Sequence, residues 1–278
     1  MPSIKIIRRR MNSVATTTKI MKAMNMVAAS KLQKDRARLE AARPFLREAR
    51  GMISRLHGLS IDNKFFEERA VKRSAYLVIT GDRGLCGSYN ANLAQAALEH
   101  MDGKNEAVVA VGLKGYDYFK RLNKNVLRRF GDVLETAFYE DAERIAAYLA
   151  NLFASNEVDE VYVVYTRYKS ALVHEPQVER LLPLCPDGEA SRIDDMRYDT
   201  GLPHFLDYAI PVYLSAFVYA ALLESSACEQ AARMVSMDTA VNNAEEITEG
   251  LTRAYNRRRQ GSITQEISEL VASANELA

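Results

Sequence analysis

The C-terminal stretch from Pro211 to Ala278 constrains the fold more than any other part of the chain. After Pro211 it contains no further proline, and its only glycines are Gly250 and Gly261. A helix through this stretch would be about 100 Å long, at about 1.5 Å of rise per residue. Helices of this length are typical of coiled coils, membrane spans or struts, since globular helices average about 11 to 12 residues. Because one helix cannot bury its own apolar stripe, the stretch predicts a partner helix.

The N-terminal segment supplies that partner. From Ser3 to about Leu59 the spacing predicts one helix, because apolar residues recur at alternating steps of three and four, as in a coiled-coil seam. Pro44 lies inside this run and predicts a kink or a local loosening, since it removes the hydrogen bond to the Glu40 carbonyl. Thirteen of the sixteen seam positions are apolar, the sixteen being Ile4, Ile7, Met11, Val14, Thr18, Met21, Asn25, Ala28, Leu32, Asp35, Leu39, Ala42, Leu46, Ala49, Ile53 and Leu56.

The C-terminal seam is less regular, and phase shifts between its apolar groups predict stutters in the supercoil. Its members are Leu214, Phe217, Ala221, Val235, Ala244, Ile247, Leu251, Ile263, Ile267, Leu270, Ala274 and Leu277. Because this helix is longer than its partner, we expect its tip to project and to be covered by other subunits. The uncharged run Tyr208–Leu223 has 16 residues, fewer than the roughly 20 of a bilayer span, and predicts a buried helix start without direct membrane insertion.

Between the two helices the pattern changes to alternating strands and helices. Short runs of β-formers predict strands, and two longer runs predict helices near Asn92–Met101 and Asp141–Ser155. The strands are Ser74–Thr80, Glu106–Gly112, Asn125–Phe130, Glu160–Tyr165 and His174–Leu184. The expected fold is therefore a long antiparallel coiled coil of N- and C-terminal helices, residues 1–60 and 208–278, with an inserted Rossmann-like open α/β domain at residues 74–203.

Charge is concentrated at the N-terminus: residues 1–60 hold 14 Lys and Arg against 3 acidic residues. The triplets Arg8–Arg10 and Arg257–Arg259 suit nucleic-acid phosphates, and a nucleic-acid-binding or chaperone-like coiled-coil arm is one alternative. Residues 1–44 contain no aromatic side chain for base stacking, which favours solvated faces or acidic protein partners. Residues 3–34 also have the composition of a transit peptide, but the seam continues past Asp35, which favours permanent structure.

A glycine-rich turn, TGDRGLCGSYN, runs from Thr80 to Asn90. Its glycines at 81, 84 and 87 do not form G-x-G-x-x-G, and no Lys-Ser or Lys-Thr follows, so a structural turn is favoured over the alternative of a dinucleotide-binding enzyme. The three cysteines, Cys86, Cys185 and Cys228, form neither a disulfide framework nor a zinc spacing and fit a reducing cytosol. We predict Cys86 to be buried, and we identify no catalytic residue, metal site or cofactor site in the sequence.

Four segments together resemble the gamma subunit of the F-type ATP synthase over nearly the whole chain. They are IRRRMNSVATTTKIMKAMNMVAASKLQ, VITGDRGLCGSYN, LLESSACEQAARMVSMDTAVNNAEEI and YNRRRQGSITQEISELV. The last is similar to the family signature at Ile263, Thr264, Glu266 and Glu269, while Ser273 replaces the usual glycine. Ser88-Tyr89 likewise replaces a commoner Gly-Leu.

This resemblance implies a non-catalytic central stalk that turns inside a hexamer of alternating alpha and beta subunits and couples ion flow to ATP synthesis on beta. The α/β domain would meet the epsilon subunit and the membrane c-ring, on the cytoplasmic face of a bacterial cell membrane, where the complex is peripheral. No dithiol segment of the chloroplast kind is present, so no thiol switch is expected.

The resemblance also assigns contact residues. It places Arg233, Gln260 and Thr264 against acidic loops of beta, together with Arg8 and Arg9. The resemblance also implies that the rotor tip turns inside an apolar collar formed by the alpha and beta subunits. That tip would comprise Ile263, Ile267, Leu270, Ala274 and Leu277.

Overall fold

A computed structural model of the chain describes residues 3–56, 61–185 and 201–276. The chain divides into two units, one made of residues 1–27 with 234–278 and the other of residues 28–233. Two long helices, α1 (Ile4–Ser54, 51 residues) and α6 (Leu202–Glu276, 75 residues), contribute to both units.

Helix α1 confirms the N-terminal prediction over Ile4–Ser54, whereas residues 57–59 of the predicted helix lie outside the described part of the chain. All sixteen predicted seam positions are buried or half-buried, including the polar Thr18, Asn25 and Asp35. Pro44 lies inside α1 without ending it.

Helix α6 begins at Leu202, earlier than the expected start near residue 208. Gly201 precedes it with a left-handed φ of +85°, and Pro203 falls in the first turn, where a missing N–H costs nothing. By length and composition α6 contains a segment that qualifies as a membrane span, but 67% of that segment is buried inside the structure, as in the core helix of a globular domain.

In the unit of residues 1–27 and 234–278, α1 and α6 pack antiparallel. Lys22 Nζ lies 2.8 Å from Glu245 Oε1, and Asn25 Nδ2 donates to the Met234 carbonyl at 3.0 Å. Residues later in α1 therefore contact residues earlier in α6, as in an antiparallel pair. Buried apolar side chains lie between the helices: Ile7, Met237, Val241 and Ala244.

Ile247, a predicted seam position on the N-terminal side of the projecting tip, is 52% exposed, so that prediction is wrong. Thr248 is half-buried at the next position instead, and its hydroxyl donates to the Ala244 carbonyl at 2.8 Å. This internal hydrogen bond lets a threonine occupy an apolar seam, so the spacing stays regular from Met237 through Thr248 and Leu251.

The other unit contains a five-stranded sheet whose members match the five predicted strands within a few residues. In chain order they are β1 (Ser74–Ile79), β2 (Glu106–Val111), β3 (Val126–Phe130), β4 (Glu160–Tyr168) and β5 (His174–Leu182). The spatial order is β3-β2-β1-β4-β5, with β5 antiparallel at one edge and the other pairs parallel. Strand β1 is buried along its whole length, as expected for a parallel strand covered on both faces.

Helices cover both faces of the sheet. The predicted helices appear as α2 (Tyr89–Met101) and α5 (Tyr139–Ala154), whereas α3 (Leu113–Arg121), α4 (Val133–Thr136) and a 3-10 turn at Lys64–Phe66 were not predicted. Side chains of α2 and α3 share one core with the sheet. On the opposite face, α5 and the adjoining parts of α1 and α6 share the larger core. The long helices are therefore packed directly on the sheet in this unit.

Candidate functional site

The candidate site is the carboxyl edge of the parallel strands. From β1 the chain first adds β2 and β3 on one side and then crosses to β4 on the other, which places the topological switch point between β1 and β4. Open α/β sheets bind their ligands in the crevice at that point. The glycine-rich turn Thr80–Asn90 directly follows β1, so it lies at this crevice.

The chain's own helix α6 fills the crevice. Ser225 Oγ accepts the Thr166 N–H at 3.4 Å and Glu224 accepts the Tyr168 N–H at 3.2 Å, both at the end of β4. From the glycine-rich side, the Tyr89 hydroxyl donates to the Ser225 carbonyl at 3.1 Å. Thus α6 occupies the hydrogen-bonding groups that a bound ligand would use.

Glu229 of α6 lies beside Gly81 of the glycine-rich turn. A Cβ atom at Gly81 would be only 2.6 Å from Glu229 Oε1, so any other residue there would force this carboxylate to move. Glu229 is 5% exposed, and burial raises the pKa of its carboxyl while Arg233 opposes that shift. Where a dinucleotide-binding protein would hold a pyrophosphate, this chain places its own carboxylate, which counts against the dinucleotide alternative.

Arg233 completes this contact one turn further along α6. Its guanidinium pairs with Glu229 and donates to Gln230 Oε1 at 3.1 Å and to the Gly84 carbonyl at 3.3 Å. The residue is 8% exposed, and its charge is satisfied within its own unit. Arg233 therefore fastens α6 to the turn.

Asp82 ties the neighbouring loops together. Its carboxylate accepts the Leu113 N–H at 2.9 Å, after β2, and the Asp132 N–H at 3.2 Å, after β3. Three loops at the carboxyl edge are thus joined through one side chain.

Helix α1 reaches the same edge through a buried acid and two cations. Asp35 accepts the Ser226 hydroxyl at 2.7 Å, and burial raises its pKa against the opposing effects of that hydrogen bond and of nearby Arg38. Lys31 Nζ lies 2.7 Å from Glu135 Oε1, and this hydrogen bond lowers the pKa of Glu135. Both long helices are therefore fastened to the carboxyl edge.

The edge contains no activated nucleophile among the residues described. Cys86 and Cys228 are buried, which agrees with the prediction for Cys86, and burial raises the pKa of each thiol. In the described ranges, no group of three or more His, Cys, Asp or Glu residues is arranged to hold a metal ion. The hydrogen bonds and ion pairs described at this edge hold α1 and α6 against the sheet domain.

The structure brings only one of the predicted contact residues, Arg233, to this edge. Arg8 and Arg9 are exposed in the other unit, as are Gln260 and Thr264. Gln260 and Thr264 lie one helical turn apart, and the Thr264 hydroxyl donates to the Gln260 carbonyl at 3.0 Å. Among the predicted tip residues, Ile263 is 47%, Ile267 55% and Leu270 69% exposed. The side chain of Ala274 and the whole of Leu277 lie outside the described residues.

Sequence reasoning missed Asp82, Glu135 and Glu229 as parts of the site. Asp35 carried a signal, because it is the charged member of a seam whose other positions, apart from Thr18 and Asn25, are apolar. The other three carried none, since their partners are remote in sequence or, for Glu229, depend on a close backbone approach at Gly81.

Comparisons with known proteins agree over the full chain. The sequence model of the ATP synthase family matches residues 3–277. The ATP synthase gamma chain of Alkaliphilus metalliredigens is 39% identical and covers 98% of this chain and 97% of its own length. The gamma chain of Moorella thermoacetica is 39% identical over 100% of both chains. The gamma chain of Acetobacterium woodii, described as sodium ion specific, is 36% identical over 99% of both.

Solved structures give the same result. The central stalk and c-ring structure of the Tetrahymena thermophila mitochondrial ATP synthase contains a chain that is 27% identical, with a TM-score of 0.64 over 80% of this chain and 99% of that one. A chain of the Euglena gracilis mitochondrial ATP synthase shares the fold at 19% identity, with a TM-score of 0.73 over 99% of this chain and 94% of its own.

Proposed function

The chain belongs to the ATP synthase gamma-chain family, and on that premise we propose that it is the non-catalytic central stalk of an F1 sector. It turns inside a hexamer of alternating alpha and beta subunits and couples ion flow through a membrane c-ring to ATP synthesis on beta. The matches to gamma chains over nearly the full length and to a central-stalk chain support this role. The position of the Glu229 carboxylate beside Gly81, where a dinucleotide-binding protein would hold a pyrophosphate, supports a non-catalytic role.

One observation carries the proposal within the structure itself. The end of α6 exposes apolar side chains on one face, among them Ile263, Ile267 and Val271 at 47%, 55% and 54%. An apolar stripe of this kind on a helix marks a surface that another chain covers. We assign that cover to the collar formed by the alpha and beta subunits.

The polar contacts of the shaft follow from the same assignment. Arg8, Arg9, Gln260 and Thr264 are exposed and free to meet acidic loops of the beta subunits. At Arg233 the contact would involve only the small exposed part of a side chain that already pairs with Glu229. The α/β domain then meets the epsilon subunit and the c-ring.

The location proposed for the complex is peripheral, on the cytoplasmic face of a bacterial cell membrane. Burial of most of the apolar part of α6 inside the structure supports attachment through partner subunits rather than by insertion.

Reconstitution with alpha and beta subunits tests the function. We expect the chain to be required for coupled ATP synthesis, and we expect Ile263→Asp with Ile267→Asp to abolish most of that synthesis, because charges would enter an apolar collar. The same variant should unfold at the parent's temperature when isolated, since both side chains are exposed there.

Ile263→Val with Ile267→Val serves as the control and should retain synthesis. Full synthesis by the aspartate variant would contradict the proposal. Binding of the purified chain to polyanions with a steep salt dependence, without any need for a hexamer, would instead favour the nucleic-acid-binding alternative.

A further inference from the structure

Helix α4 is a single turn, Val133–Thr136, between the edge strand β3 and helix α5. Both flanking residues have left-handed backbones without being glycine: Asp132 has φ 58° and Ala137 has φ 44°. Such conformations persist only where surrounding contacts impose them. The short turn is therefore held in its conformation by contacts with neighbouring elements of the chain.

Helix α1 holds α4 at two points. Lys31 Nζ lies 2.7 Å from Glu135 Oε1, and the Arg38 guanidinium donates to the carbonyls of Thr136 at 2.6 Å and Ala137 at 2.5 Å. Lys31 and Arg38 are seven residues apart, which places them on the same face of α1, two turns from each other. The Arg38 bonds also satisfy carbonyls that the end of a helix leaves without intrahelical partners.

Two further contacts join α4 to the carboxyl edge. Glu135 Oε2 accepts from Arg83 of the glycine-rich turn at 3.3 Å, and the Asp132 N–H donates to Asp82 at 3.2 Å. The turn thus links α1, the edge strand β3 and the loop after β1. Elsewhere α1 is tied to β5 by one ion pair, Arg50 with Glu179 at 3.3 Å.

The kind of contact matters for a part that must transmit torque. Apolar packing is non-directional, whereas a guanidinium bound to two fixed carbonyls defines both position and orientation. Two anchors one heptad apart oppose both sliding of α4 along α1 and rolling around it.

We propose that Lys31 and Arg38 are positioning residues that make the sheet domain and α1 turn as one body, by gripping α4. This rests on the proposed rotor function. Torque applied to the sheet domain passes through α4 into α1, which continues without a break toward the N-terminus. Removing the grip leaves the chain folded and assembled but makes the connection more compliant in rotation.

The test is the angular fluctuation of a paused rotor in the complex with alpha and beta subunits. A bead is attached through Leu172→Cys, at a hairpin position that is 77% exposed, in a Cys185→Ser background, since Cys86 and Cys228 are buried. We expect Lys31→Gln with Arg38→Gln to widen the fluctuation while ATP hydrolysis and assembly stay unchanged. Arg38→Lys should give a fluctuation of intermediate width, because an ammonium group keeps the charge but lacks the two-pronged geometry of the guanidinium. If the double variant folds poorly, this milder variant still tests the proposal.

Arg144→Gln is the matched control, because it removes an exposed ion pair, with Asp141, that lies within α5 alone. Fluctuation equal to the parent in both Arg38 variants would overturn the proposal. Failure of the parent chain itself to rotate with the hexamer would instead contradict the proposed function, so the two failures are distinguishable.

Discussion

Three carboxylates are buried or largely buried where the long helices meet the sheet: Asp35, Glu224 and Glu229. Burial raises the pKa of each, against the opposing effect of its own hydrogen-bond donor. Such groups rarely add net stability relative to apolar residues of similar size, but they fix one alignment, because a shifted helix would leave a buried charge unpaired. These three buried carboxylates therefore specify how the long helices are aligned on the sheet.

The pH dependence of stability tests Asp35. Its pKa is raised in the folded chain above an unfolded value of about 3.9, so the folded state holds the proton more tightly. The contribution to stability is complete below the unfolded pKa and is lost as the pH rises through the folded pKa. Asp35→Asn keeps an acceptor for Ser226 but carries no charge. It should therefore be more stable than the parent at pH 8, with an advantage that shrinks toward about pH 4.

Denaturant unfolding of the isolated chain across that pH range measures the effect. Asp238→Asn, at an exposed position of α6, is the control for the loss of one carboxylate. A constant difference between Asp35→Asn and the parent would show that the charge of Asp35 is not responsible.

Gly81 gives a second prediction at this scale. Gly81→Ala forces Glu229 away from a position only 2.6 Å from the new methyl group and disturbs its pairing with Arg233. We expect a loss of about 1 to 3 kcal/mol in the free energy of unfolding, the usual range for overpacking. Gly84→Ala should cost far less, since its nearest neighbour would be 4.0 Å away. Equal losses in thermal or urea unfolding would contradict this account.

At the scale of elements, the residue pattern predicted α1 from its seam of apolar residues and the five strands from short runs of β-formers. It failed for α3 and α4. Helix α3 contains Gly115, a poor helix former, which is needed because its N–H donates to the Thr80 hydroxyl and a Cβ there would lie 2.6 Å from that oxygen. Helix α4 is too short to show any period and depends on contacts from α1.

The helix pairing makes a prediction of its own at Ala28. This residue of α1 is 1% exposed, so a larger side chain has no space between the packed elements. Ala28→Leu should lower the free energy of unfolding by about 1 to 3 kcal/mol through overpacking. Ala23→Leu, at an exposed position of the same helix, should leave unfolding of the isolated chain nearly unchanged. A tolerated Ala28→Leu would mean that α1 is not tightly packed there.

For the whole molecule, the sequence was sufficient for the fold class, since long helices flanking a strand-helix alternation allow few architectures. The attachment of the long helices to the carboxyl edge of the sheet could not be predicted from the sequence. Its contacts join Asp35 to Ser226 and Lys31 to Glu135, pairs more than a hundred residues apart in the chain. The sequence shows a glycine-rich turn after a strand, but only the structure shows that α6, rather than a nucleotide, occupies the crevice.

Direct observation of rotation tests whether this chain is the turning part of an ATP-driven complex. The hexamer of alpha and beta subunits is fixed to a surface, and the bead at residue 172 is followed while ATP is supplied. We expect continuous rotation in one direction that stops when ATP is withdrawn. A bead that only fluctuates, while the same complexes hydrolyse ATP, would contradict it.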